Sequence, residues 1–155
     1  MTEDARFEDG REAPLNLGAL DAEDLGVLSA LVQDAVFPAA EMRWLPKERR
    51  FALLLNRFRW EDDGRTRHGA ERVQAVLVFE NVQKVSSQGV SRAEPDMILS
   101  LLSVDWHPAE APGGAIELVL AGDGAIRLQV EAPEVVLKDV TRPYRAPSGH
   151  VPDHA

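Results

Sequence analysis

The pattern of apolar and polar positions first indicates a hairpin near the middle of the chain. A short strand ends near Leu45, the turn-forming run Pro46–Glu48 follows, and a long strand begins near Arg50. Residues 51–55 are apolar at every position, so both faces of this strand have apolar side chains. We therefore expect the strand to be covered on both sides, or to bend inside a small barrel.

The clearest alternation lies closer to the carboxyl end. Residues 116–120 and 126–131 are two strand-like segments joined by a glycine-rich turn at 122–124. The second segment has three apolar residues on one face and three polar residues on the other: Ile126, Leu128 and Val130 against Arg127, Gln129 and Glu131. This pattern predicts a hairpin with one face in the core and one in water.

Two further regions have strand character. Residues 72–79 are predicted to form a strand on which Val73, Ala75, Leu77 and Phe79 share one face. We expect residues 82–85 to extend this strand or pair with it, and residues 86–89 to form a turn. In residues 97–106 two sets of apolar positions compete for the core face: Ile98, Leu102, Val104 and Trp106 against Met97, Leu99 and Leu101.

Helical signals occur near both ends of the strand-rich region. Asp21 is a good N-cap, acidic residues follow it, and leucines then recur at helical spacing. This predicts a helix from Ala22 to Gln33 or Val36, which has to end before Pro38. Residues 133–140 suit a short closing helix with proline at its first position, although the valines there leave a final strand as an alternative.

These elements predict an α+β fold that is mostly antiparallel β. About seven strands, a helix on the N-terminal side and a short C-terminal helix match the order of elements in a pleckstrin-homology-like barrel, with a generic antiparallel roll as the alternative. We expect a flexible arm at residues 1–14, a single globular domain at 15–144 and a flexible tail at 145–155.

Composition narrows the class of protein. The chain is 45% hydrophobic and 28% charged, as an ordinary globular protein is, and it has no cysteine. Disulfides, thiolate catalysis and thiolate zinc sites are therefore excluded. The acidic N-terminal segment lacks the features of a signal peptide, and no apolar run approaches the ~20 residues that cross a bilayer. We expect a cytoplasmic protein with no membrane partner.

Charge is unevenly distributed. The formal net charge of −9 makes nucleic acid an unfavourable partner for the molecule as a whole. Residues 41–72, however, contain nine basic and six acidic residues, a net charge of +3, whereas the rest of the chain has −12. Either this basic region pairs with acids of the same domain, or it is a binding surface for anions.

The basic region supplies the candidate site residues. Arg57 and Arg59 lie two apart, so they share one strand face, whereas Phe58 and Trp60 would anchor the other face in the core. Side chains at the hairpin tip would join the two arginines. The predicted ligand or partner site comprises Lys47, Arg49, Arg50, Arg57 and Arg59.

No catalytic or metal motif stands out. The chain lacks a glycine-rich phosphate loop and a nucleophile elbow, and His150 and His154 flank a proline. Asp105 and His107 share a face near a strand end, with no third ligand nearby in sequence. We therefore expect no cofactor, no metal site and no catalytic residue.

Five segments carry a resemblance to a known family: 20–25 (LDAEDL), 44–51 (WLPKERRF), 55–61 (LNRFRWE), 99–102 (LSLL) and 124–128 (GAIRL). Over about residues 15–140 the chain resembles the bacterial, chiefly alphaproteobacterial, Domain of Unknown Function 2948 family. The resemblance implies no activity, cofactor or catalytic residue.

Two functional hypotheses follow. The first is a non-enzymatic cytoplasmic binding or adaptor domain whose basic hairpin binds an acidic protein or a phosphorylated small molecule. The alternative is a small enzyme that uses Asp105 and His107 with an arginine as substrate clamp. The sequence leaves the oligomeric state open.

Overall fold

The computed structural model describes residues 15–58, 71–91 and 94–140, with only the backbone of residues 71, 144 and 145. One helix and eleven strands occur in these ranges: β1 (Asn16–Ala19), α1 (Ala22–Leu31), β2 (Val36–Pro38), β3 (Met42–Leu45), β4 (Arg50–Phe58), β5 (Glu71–Phe79), β6 (Val82–Gln88), β7 (Ile98–Pro108), β8 (Gly114–Leu120), β9 (Ala125–Val130), β10 (Val135–Asp139) and β11 (Tyr144–Arg145). The predicted arm at 1–14 and most of the predicted tail lie outside these residues.

The strands form one antiparallel network. The order of pairing is β1-β10-β5-β4-β2-β7-β8-β9-β6, with β3 added to β4 and β11 added to β5. The path runs from β1 to β6 and does not close among the strands that the structure describes. The predicted class, mostly antiparallel β with an N-terminal-side helix, is confirmed, but the number of strands exceeds the expected seven. The comparison with a pleckstrin-homology-like barrel stays a prediction.

The predicted start of the helix is confirmed. The Asp21 carboxylate accepts a hydrogen bond from the backbone N–H of Asp24 at 2.9 Å, which satisfies one of the free donors of the first turn. Leu25 and Leu28 are buried against the sheet. α1 ends at Leu31, earlier than expected, and the chain then turns through Asp34, whose φ of 67° is left-handed.

The central hairpin has the predicted form. β3 and β4 pair with Leu45 opposite Arg50, and a 3₁₀ turn at Pro46–Glu48 joins them. Arg49 closes the turn in the left-handed conformation, with φ of 56°. β4 has β5 along one edge and β3 and then β2 along the other, so it is an interior strand.

A β-bulge in β7 resolves the competition between its two apolar patterns. Leu101 pairs with Leu120 and Ser103 with Val119, so Leu102 is the extra residue. Leu99 and Leu101 are buried before the bulge and Val104 is buried after it, whereas Leu102 is exposed. The core face therefore changes from odd to even positions within one strand. Next to the bulge, the Val104 N–H donates a hydrogen bond to the Ser29 hydroxyl of α1 at 2.9 Å.

The β8–β9 hairpin matches the prediction, but its neighbour does not. Ile126, Leu128 and Val130 are buried and the residues between them are exposed. β6, however, pairs with β9 and not with β5, and it continues to Gln88. The predicted turn at residues 86–89 was therefore wrong, because only Gly89, with φ of 71°, has a turn conformation.

The predicted closing helix was also wrong. Residues 135–139 form β10, which lies between β1 and β5 and pairs with both. Val135, Leu137 and Asp139 face inward, and Val136 and Lys138 are more exposed. This period of two and the β-branched valines favour a strand once two neighbours supply its hydrogen bonds. The alternative of a final strand is thereby confirmed.

A buried ion pair joins β4 to β10. Arg57 is completely buried, and Asp139 is 5% exposed. Arg57 donates hydrogen bonds from Nε and Nη2 to the two carboxylate oxygens of Asp139, each at 3.0 Å. Asp139 Oδ2 also accepts a hydrogen bond from the Leu15 N–H at 2.8 Å. One carboxylate thus connects β4, β10 and the residue that precedes β1.

The ion pair predicts a large cost for losing its acid. Asp139→Ala removes the carboxylate partner of a buried guanidinium, so we expect a loss of about 3–5 kcal/mol in the free energy of unfolding. Urea denaturation measures it, with exposed Lys138→Ala as a control that should change stability by less than about 0.5 kcal/mol. The pair Arg57→Met with Asp139→Leu should recover most of the loss. A cost below about 1 kcal/mol for Asp139→Ala would contradict this account.

The bulge gives a second prediction. Ser29→Ala leaves the Val104 N–H without its acceptor in a partly buried place, which costs about 1–3 kcal/mol. Ser29→Thr keeps a hydroxyl at the same position and should lose less. Equal unfolding free energies for the two variants would show that the hydroxyl does not stabilise the bulge.

Candidate functional site

The cations at the hairpin tip are largely paired with acids of the same chain. Arg49 donates from Nη2 to Glu131 at 2.8 Å. Arg50 donates from Nε to both oxygens of Glu80, at 3.0 and 3.1 Å, and its Nη1 lies 3.2 Å from Glu48. The hydrogen bond to Glu80, and then the charge of that carboxylate, raise the pKa of Arg50 above its ordinary value.

Of the other three predicted site residues, Lys47 and Arg57 take no part in these surface ion pairs among the described residues. Lys47 is exposed on the 3₁₀ turn. Arg57 was predicted to face outward, but it lies on the same face of β4 as Leu53 and Leu55 and is buried with them. The outward orientation was wrong because Arg57 continues the buried face of β4, while Phe58, on the other face, is buried at the end of the strand. Arg59 lies outside the described residues.

A cleft of about 750 Å³ lies elsewhere, on the outer face of β6, β8 and β9. The connection between β7 and β8 forms one wall of the cleft. The polar side chains that line it are Gln83, Lys84, Ser86, His107, Glu110, Arg127, Gln129 and Glu131. Glu131 is the acid that binds Arg49, so the hairpin tip reaches the rim of this cleft.

Strand register explains how these residues meet. One row across the outer face contains Asp105, Glu117, Arg127 and Ser86, each opposite the next on β7, β8, β9 and β6. The neighbouring row contains His107, Ala115, Gln129 and Lys84. Side chains of one row lie on the same side of a sheet, so two polar rows cross the floor and edge of the cleft.

Asp105 and His107 do come together, and a third residue joins them. The ligand atoms of Asp105, His107 and Glu117 all lie within 4.8 Å of one another. His107 Nε2 lies 3.1 Å from Glu117 Oε1. His107 also lines the cleft, so this cluster adjoins it.

Two cleft cations have no charged partner. The side chains of Lys84 and Arg127 form no hydrogen bond or ion pair with any residue in the parts of the chain that the structure describes. This holds although Glu117 lies opposite Arg127 in the strand register. The two cations are free to bind an external anion.

Sequence reasoning missed Glu117, Arg127 and Lys84 as site residues. The alternation along β9 did place Arg127 on the wet face. Its position beside Glu117 depends on which strands pair and in which register, and a local pattern does not contain that information.

The described residues define an antiparallel β protein with a polar cleft on an outer sheet face. The family described as "Protein of unknown function (DUF2948)" matches residues 15–154, and the chain belongs to this family, as the resemblance predicted. No curated protein and no solved structure matches the chain. Among the described residues, no helix has the length and apolar character needed to cross a membrane.

Gly114 is a sharp test of the cleft wall. A Cβ at this position would lie 2.6 Å from the His107 carbonyl oxygen and 2.7 Å from the Trp106 ring. We expect Gly114→Ala to cost about 1–3 kcal/mol in the free energy of unfolding, because backbone atoms have to move. Gly18→Ala, on β1 with no atom within 4 Å of the new Cβ, is the matched control. Similar costs for both would show that the close approach at Gly114 is relieved easily.

Proposed function

We propose that this protein is a binding domain for a small anionic molecule with phosphate or carboxylate groups, held in the cleft on the outer face of β6, β8 and β9. The observation that carries the proposal is the presence of Arg127 and Lys84 in that cleft without an anionic partner among the described residues. A guanidinium binds planar anions through two parallel hydrogen bonds, and an ammonium adds a second charge.

The hairpin contributes to this site indirectly. Arg49 binds Glu131 at 2.8 Å and so neutralises one acid on the rim of the cleft. Glu110 is the other acid among the lining residues. With Glu131 paired, the two free cations exceed the one free acid of the lining, which favours an anion.

An acidic protein bound at the hairpin is the weaker form of the proposal. Arg49 and Arg50 already have carboxylate partners, and Arg57 is buried. A partner would have to displace these acids, and an exposed ion pair that is exchanged for another contributes little net affinity. Lys47 is the hairpin cation best placed for such a contact.

The second candidate is the small enzyme that uses Asp105 and His107. The observation that favours it is the contact between His107 and Glu117 at 3.1 Å on the edge of the cleft. A carboxylate that orients an imidazole is the arrangement of a general base, and Arg127 would be the substrate clamp. Hydrolysis of p-nitrophenyl phosphate or acetate that is lost in His107→Gln would support this candidate, and its absence would exclude these two ester classes.

The cellular location of the protein is part of the proposal. We propose that the protein acts in the cytoplasm of a bacterial cell, in keeping with its resemblance to a bacterial family. Fractionation of cells that express a tagged protein tests the location.

Anion binding is the main test. In a buffer with a chelator, glycerol 3-phosphate and succinate should raise the melting temperature, because each binds the folded state. Arg127→Gln and Lys84→Gln should each weaken binding about tenfold or more, since a hydrogen bond to a charged group contributes about 1.5–3 kcal/mol.

The control for this test is Lys138→Gln, which removes an exposed cation from β10, outside the cleft. It should bind both anions as the parent protein does. No thermal shift with either anion, or equal losses in all three variants, would overturn the proposal.

A further inference from the structure

The cluster of Asp105, His107 and Glu117 has an unusual balance of charge. Asp105 lies directly opposite Glu117 in the β7–β8 register, and like charges in that position destabilise a sheet. The Asp105 carboxylate has no hydrogen bond or ion pair within residues 15–58, 71–91 and 94–140. The single imidazole of His107 contacts Glu117. The group that would balance this cluster is a cation.

The geometry of the three side chains fits metal coordination. His107 Nε2 and Glu117 Oε1 are 3.1 Å apart, close to the ~3.3 Å between two ligand atoms in a tetrahedral zinc site with bonds of about 2.0–2.1 Å. All three ligand atoms lie within 4.8 Å, so small rotations of exposed or half-exposed side chains would bring them onto one ion. The ligands come from neighbouring strands, which hold their backbones in fixed register.

We propose that Asp105, His107 and Glu117 bind one first-row divalent cation of the Zn²⁺ type. One imidazole nitrogen and two carboxylate oxygens suit Zn²⁺, Co²⁺ or Mn²⁺, whereas Mg²⁺ and Ca²⁺ prefer oxygen ligands alone. Three protein ligands leave at least one coordination position open, as in catalytic rather than structural zinc sites.

The open coordination position would lie beside the proposed anion site. His107 lines the cleft, and Arg127 lies opposite Glu117 on the next strand, so the cation would stand beside the proposed anion site. Without a cation, the carboxylates of Asp105 and Glu117 repel an anion there. With one bound, they are neutralised, and an anion oxygen can complete the coordination. This second step rests on the proposed function, whereas the cation site rests on the cluster itself.

Titration of the full-length protein with Zn²⁺ tests the site, after treatment with a chelator and its removal. The other histidines, His68, His150 and His154, are replaced by Gln so that they do not bind additional Zn²⁺ ions. We expect one Zn²⁺ per chain by calorimetry, a higher melting temperature with Zn²⁺, and a Co²⁺ visible spectrum that indicates nitrogen and oxygen ligands.

Single variants then identify the ligands. Asp105→Asn, His107→Gln and Glu117→Gln should each weaken Zn²⁺ binding at least tenfold and remove the Co²⁺ spectrum. Glu23→Gln, which removes an exposed acid of α1 outside both the cleft and the cluster, should bind Zn²⁺ like the parent. Without metal, Asp105→Asn should melt at the same temperature as the parent or higher, because one of two opposed charges is gone.

The outcomes distinguish a failure of the cation site from a failure of the anion-binding function. An absence of stoichiometric Zn²⁺ binding, or unchanged affinity in the three ligand variants, would overturn the site. Binding of glycerol 3-phosphate is measured with a chelator and with Zn²⁺, and we expect it to tighten at least tenfold with Zn²⁺. If Zn²⁺ binds and glycerol 3-phosphate binds in neither condition, the anion-binding function fails and the cation site stands. If glycerol 3-phosphate binds equally well with a chelator and with Zn²⁺, and Zn²⁺ itself does not bind, the cation site fails and the anion-binding function stands.

Discussion

The bulge at Leu102 is the constraint on which both the core and the site depend. In an uninterrupted strand, Leu99, Leu101, Ser103, Asp105 and His107 would share one face, because the side-chain period of a strand is two. Leu99 and Leu101 are in the core, so Asp105 and His107 would be buried there as well, at a high cost in desolvation. One extra residue reverses the phase, so that Val104 fills the core and both polar side chains reach the outer face. The hydroxyl of Ser29 on α1 accepts the N–H of Val104, which links the helix to the position where the phase changes.

The basic region of the sequence divides into structural and available cations. Arg57 forms an ion pair with Asp139 inside the protein, and Arg49 and Arg50 form ion pairs with acids at the surface. The first alternative for the basic region, pairing with acids of the same domain, therefore describes these three residues. The two cleft cations, Lys84 and Arg127, have no charged partner among the described residues, and they lie outside the basic region, in a part of the chain whose net charge is negative. A count of charges along the sequence does not show which cations are paired, because pairing is decided in three dimensions.

Local patterns were sufficient for elements that carry their own signal. The cap at Asp21, the turn at Pro46–Glu48 and the alternation from Ile126 to Val130 each depend on residues close in sequence, and all three are present in the structure. β10 was harder to predict, because its valines are compatible with a helix or a strand. The strand is favoured once β1 and β5 supply backbone hydrogen-bond partners. The cluster of Asp105, His107 and Glu117 was harder still to predict. The sequence showed Asp105 and His107 two apart, but Glu117 is ten residues beyond His107 and becomes a neighbour only through the β7–β8 register.

The same register places two opposite electrostatic features side by side. Across β7, β8 and β9, one row reads Asp105, Glu117 and Arg127, so a pair of opposed carboxylates borders a guanidinium that binds neither of them among the described residues. If the row served stability alone, Arg127 would be expected to pair with Glu117 and relieve the repulsion. Among the described residues Arg127 has no such partner, and neither has the carboxylate of Asp105. A cation between the carboxylates and an anion at the guanidinium would give Asp105 and Arg127 the charged partners that they lack among the described residues.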